Sequence, residues 1–66
     1  MTIDGAIIAM TEGGYKVAHR FFSDGEYIMQ FDDKYYTDEK GYQRPISEFW
    51  SYRSQEEWQD GWKIVG

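Results

Sequence analysis

Ile3, Ala6, Ile7 and Met10 recur at i, i+3, i+4, i+7, the spacing that lays one apolar stripe along a short helix. Thr2 is placed to cap the start of that helix and Gly13 its end. From Tyr15 the period shortens to two. Tyr15, Val17 and His19 alternate with Lys16, Ala18 and Arg20, predicting a strand with Arg20 on the face opposite His19. Ser23-Asp24-Gly25 has turn chemistry, since Asp bonds its own backbone and Gly accepts positive φ; it predicts a hairpin into a second strand over Glu26–Phe31. A further strand is expected at Tyr35-Tyr36-Thr37, between an Asp32-Asp33 turn and the polar loop Asp38-Glu39-Lys40-Gly41. Ser47 to Arg53, with Phe49, Trp50 and Tyr52, has too short a period to classify. Ser54 with Glu57 three residues on predicts a capping box that opens a short helical turn. Gly61 stops that turn, and Trp62-Lys63-Ile64-Val65 supplies a closing strand. The expected fold is α+β: one N-terminal helix packed on a small antiparallel sheet, a short C-terminal helical turn and a closing strand.

The 66 residues suffice for a single domain, 1–66, with Pro45 marking a local turn rather than a boundary. A chain this short hides only about 60% of the surface its unfolded form exposes. Disulfides and metal commonly reinforce such domains, but there is no Cys and only one His, so self-association is the expected source of extra stability. Aromatic content of 20% exceeds what so thin a core can hide, which points the same way or to a ligand pocket.

A net charge of -5 argues against binding to DNA, RNA or an anionic membrane, all of which demand a cationic footprint. No apolar run is long enough to span a bilayer, and the opening segment carries Asp4 where a secretory leader would carry basic charge, so a cytosolic location is expected.

Catalytic chemistry finds little support. No Cys nucleophile exists, and His19 has no local acid to orient it, so a structural or pocket-lining imidazole is the expectation. The acidic pairs Asp32-Asp33 and Asp38-Glu39 lack the alternating ligands and terminal Glu of a calcium loop. No metal, no cofactor and no enzymatic activity are expected. Binding chemistry is better represented. Adjacent side chains on a strand face opposite ways, so one of Phe21 and Phe22 must leave the core for a protomer interface or a ligand pocket. Trp50, Tyr52 and Arg53 repeat the pairing of flat aromatic surface with guanidinium that Arg20, Phe21 and Phe22 show. Bases stack on aromatics for about 1 to 3 kcal/mol each, and arginine grips phosphate for about 1.5 to 3 kcal/mol, so the pairing suits a nucleotide. Lys16 and Arg44 are the next candidates for phosphate. Trp58 and Trp62 read as packing residues beside Gly61.

The order of helix, "GYKVAHRFFSDGEYI", "EFWSYR" and "EEWQDGWKIV" resembles the second-type Thoeris anti-defence proteins of phages, over nearly the whole chain. That family sequesters cyclic ADP-ribose-type signals of bacterial immune systems. The resemblance implies a homotetramer in the cytoplasm of an infected bacterial host, with pockets between subunits that hold a cyclic ADP-ribose isomer or a cyclic dinucleotide without cleaving it. By position, Arg20 matches the arginine ending the basic strand, Trp50 the central tryptophan and Trp62 that of the closing strand. Phe22 and Asp24 stand where many relatives carry tryptophan and asparagine. Stacking survives that exchange, whereas a carboxylate repels phosphate and accepts from ribose hydroxyls or a base amino group. The implied ligand set is Arg20, Phe21, Phe22, Asp24, Trp50, Tyr52 and Arg53. The alternative function is inhibition of a host enzyme by direct contact, with Phe21, Phe22 and Trp50 as anchors; a nucleotide hydrolase is disfavoured by the missing base and metal set.

Overall fold

Helix α1 spans Ile3–Gly13, and the Thr2 hydroxyl accepts from the Gly5 amide at 3.2 Å to cap it. It ends one residue later than its sequence suggests. Gly13 is still helical, and Gly14 adopts the left-handed conformation, φ 66°, that returns its amide to the Ala9 and Met10 carbonyls. Ala6 and Met10 are the buried members of the stripe.

The computed structural model describes residues 1–66 and places five short strands in one antiparallel sheet. These are β1 (Val17–His19), β2 (Ile28–Gln30), β3 (Tyr35–Asp38), β4 (Gln43–Pro45) and β5 (Trp62–Ile64), in spatial order β4-β3-β2-β1-β5. Three strands are shorter than expected, β5 only by Val65. Tyr15 spends its amide on the Ala9 carbonyl at the helix end, and Arg20 already belongs to a turn closed by the Phe22 amide on the His19 carbonyl. Glu26 is likewise held in a turn by the Ser23 carbonyl, so β2 begins only at Ile28. The β1–β2 connection is therefore a wide loop, with Val17 opposite Ile28.

Two elements have no counterpart among those the sequence predicts. β4 carries no aliphatic or aromatic side chain apart from Pro45 at its end, and the unclassified segment is a helix, α2, over Ile46–Ser51. After α2 a single 3₁₀ turn, Glu56–Trp58, replaces the expected capped helical turn. Gln55 occupies the cap position and no side chain bonds there, so the Ser54–Glu57 capping box does not form. With the cap at Gln55, the third position of the turn falls on Trp58, which has no carboxylate to return the bond.

The core consists of Ala6, Met10, Val17, Ile28, Tyr36, Phe49 and Trp62. Trp62 is its largest fully buried member, and its indole N–H donates to the Trp58 carbonyl at 2.7 Å. Because directly opposed residues share a face, the register places Val17, Ile28, Tyr36 and Trp62 on the side of α1 and α2. Ala18, Lys63, Met29 and Thr37 fall on the other side, over which no helix packs. No helix is long and apolar enough to cross a membrane.

Candidate functional site: a cationic cleft on the open sheet face

The wide β1–β2 loop folds toward the uncovered face of the sheet and encloses a cleft of 360 Å³ against β1 and β5. Lys16, Arg20, Phe22, Asp24, Tyr27 and Lys63 are among its lining residues. Backbone pairing brings them together. Lys63 is opposite Ala18, and the Val65 amide bonds the Lys16 carbonyl at 2.8 Å, so the closing strand delivers its lysine beside the start of β1.

Three of the chain's seven Lys and Arg residues line this one cleft, although the chain carries -5 overall. None of the three is paired with a carboxylate. The single ion pair in the molecule joins the Met1 amino group to Asp60 at 3.7 Å. Of the two acids in the cleft, Glu26 is committed to the loop itself, where its carboxylate accepts from the Ser23 amide at 3.0 Å. Lys16 Nζ lies 4.8 Å from the centre of the Tyr27 ring, and the Arg20 guanidinium 5.2 Å from that of Phe21. The arrangement offers unpaired positive charge beside flat aromatic surface, the combination that receives a phosphate and the ring attached to it.

Arg20 is held from below. Its amide donates to the Gly61 carbonyl at 3.1 Å, and a Cβ on Gly61 would lie 2.9 Å from Arg20 Nη1 and 3.1 Å from His19 Nε2. With φ at 92°, Gly61 satisfies both the backbone turn and this close approach.

His19 is buried, 2% exposed, and both ring nitrogens are occupied by backbone. Nδ1 accepts from the Phe21 amide at 3.1 Å, so Nε2 carries the hydrogen and donates to the Asp60 carbonyl at 2.7 Å. The ring sits 4.4 Å from Trp58 and 4.9 Å from both Phe21 and Trp62. It joins the β1–β2 loop to the segment before β5 and has no free nitrogen for proton transfer.

The seven residues expected to bind ligand do not form one site. Arg20, Phe22 and Asp24 line the cleft, joined there by Lys16, Tyr27 and Lys63. Of the two adjacent phenylalanines, Phe21 is the one that leaves the core, at 55% exposure, while Phe22 packs against the core with its ring edge-on to Phe49 and Trp62. Trp50 packs against Phe49 and Trp62. Tyr52 and Arg53 line a different depression, beside α2. Arg53 stacks 3.7 Å above the Phe49 ring and donates from Nη1 to the Phe49 carbonyl at 3.1 Å, so it closes α2 from its C-terminal side. Desolvation by burial lowers its pKa, with the charges of Tyr36 and Glu26 acting in the opposite direction. No group of three or more His, Cys, Asp or Glu side chains is placed to hold a metal ion.

No protein-family model, curated protein or solved structure matches the chain.

Proposed function

We propose that the chain is a stoichiometric sponge that captures a cyclic nucleotide signal, of the cyclic ADP-ribose or cyclic dinucleotide class, and holds it intact in the cationic cleft. The observation that carries this reading is the convergence of Lys16, Arg20 and Lys63, all free of carboxylate partners, on one aromatic-lined cleft of an acidic protein. Each phosphate contact from such a cation contributes about 1.5 to 3 kcal/mol, and a stacked base about 1 to 3 kcal/mol. Asp24 at the rim accepts from ribose hydroxyls or a base amino group. A second copy of the chain covers the open sheet face around Ala18, Met29 and Thr37 and completes the walls of the cleft, within a homotetramer. The setting that fits is the cytoplasm of an infected bacterial host, where lowering the free signal silences a nucleotide-triggered defence.

Titration with a panel of cyclic ADP-ribose isomers and cyclic dinucleotides, followed by recovery of the ligand from denatured protein, tests the proposal. Saturable binding with intact release is expected; degraded ligand, or no binding across the panel, overturns it. In the second case the exposed rings of Phe21 and Tyr52, at 55% and 69%, favour direct inhibition of a host enzyme by surface contact.

A further inference from the structure

On the helix-covered side of the sheet a second depression opens between β4 and α2. It measures 210 Å³ and is lined by Tyr36, Arg44, Glu48, Phe49, Tyr52 and Arg53, none of which lines the cationic cleft. A neighbouring depression of 340 Å³ shares Tyr36, Arg44, Phe49 and Arg53 with it, so the two meet over the same four side chains.

The surroundings of the Arg53 guanidinium are the unusual feature here. Its guanidinium carbon lies 3.7 Å from the centre of the Phe49 ring and 5.0 Å from that of Trp58, and these contacts partly desolvate it. Its hydrogen bond within the chain is the one from Nη1 to Phe49. Nε is buried and bonds to no atom of the chain, and no carboxylate lies within ion-pair distance. A half-buried cation without a counter-ion is costly, and proteins normally pair it. Arg44, on the facing strand, is also unpaired and lies 5.8 Å from the Tyr42 ring. Two guanidinium groups and one acid, Glu48, leave the smaller depression with one net positive charge.

We propose that this depression is a second ligand site, separate from the cationic cleft, that takes a compact aromatic monocarboxylate. The planar carboxylate matches the guanidinium fork and engages the Nη groups of Arg53 and Arg44, adding a partner within ion-pair distance to the more distant charge of Glu26. Tyr36, Phe49 and Tyr52 receive the ring. A single negative charge balances the site, whereas a dianionic phosphate meets Glu48 with its second charge.

The test is an amide-resolved NMR titration of the whole chain with benzoate, inorganic phosphate and benzyl alcohol. Benzoate is expected to shift the amides of Arg44, Phe49, Tyr52 and Arg53 saturably, phosphate to bind at least about tenfold more weakly, and benzyl alcohol not to saturate. Arg44→Gln, at an exposed position that leaves the fold intact, should weaken benzoate about tenfold, and Arg53→Lys should do the same because the ammonium lacks the planar fork. Lys63→Gln should leave benzoate binding at the parental value, which separates this site from the cleft whatever the outcome for cyclic nucleotides. Benzoate shifts centred on Lys16 and Lys63, phosphate binding as tightly as benzoate, or an Arg44→Gln variant that binds like the parent would each overturn the assignment.

Discussion

The His19 imidazole donates to the backbone carbonyl of Asp60, 41 positions along the chain, at 2.7 Å. With Nδ1 held by the Phe21 amide, one side chain satisfies two backbone groups in segments that also meet through the pairing of β1 with β5 and the Arg20 amide on the Gly61 carbonyl. His19→Ala strands both groups, at about 1 to 3 kcal/mol each. The urea midpoint should fall with an unchanged slope; a midpoint equal to the parent's would show that water replaces the ring without loss. A chain of 66 residues has roughly 3 to 10 kcal/mol of total stability, so the loss should be a large fraction of it.

Gly61 and Gly25 both have positive φ, 92° and 79°, but only Gly61 has heavy atoms within 4 Å of where a Cβ would sit. Gly25→Ala carries backbone strain alone, about 1 kcal/mol. Gly61→Ala adds the collision with Arg20 and His19 and should melt several degrees lower than Gly25→Ala. Equal melting temperatures would mean that the Arg20 side chain swings clear without consequence.

Phe21 and Phe22 should separate in mutagenesis. Phe22→Leu removes a ring packed against Phe49 and Trp62 and should cost about 1 kcal/mol or more, read in thermal melts. Phe21→Leu, at 55% exposure, should cost about 0.5 kcal/mol, the edge-to-face contact with Trp58 included. The reverse order would return Phe22 to the role of a ring presented to ligand.

Sedimentation velocity at micromolar concentration should reveal a species heavier than the 7.9 kDa chain, held through the uncovered sheet face. Thr37→Lys, on that face between Met29 and Gln43, should dissociate it while leaving the monomer folded. A parent that sediments as a monomer removes the covered cleft from the proposed function.

The parts of the fold legible in the sequence are those set by local chemistry. Thr2 and a four-residue stripe specify α1, Asp38 caps its own loop by accepting from the Lys40 and Tyr42 amides, and Gly61 followed by Trp62 announces β5. β4 escaped because Gln43 and Arg44 have no apolar alternation; they pair simply because the loop after β3 returns them to its edge. Ile46, Phe49 and Trp50 do carry helical spacing, but six residues make less than two turns, and the neighbouring Tyr52 blurs the period. The cleft was half visible. Arg20, Phe22 and Asp24 are neighbours in sequence, whereas Lys63 joins them only through the pairing of β5 with β1, which no local pattern encodes. Lys16 could be singled out as a spare cation, and Tyr27 gave no signal beyond its strand propensity.

The strand order β4-β3-β2-β1-β5 also constrains how the molecule comes into being. Residues 28 to 45 form a meander of neighbours that can assemble as soon as they leave the ribosome, but β1, made earlier, has one flank open until Trp62–Ile64 emerges. Trp62, the largest buried side chain, arrives last of the core, and with it the Lys63 wall of the cleft. Closure is therefore a long-range event that waits for β5. A chain stalled on the ribosome before β5 lacks the Lys63 wall of the cleft and should be protease-sensitive.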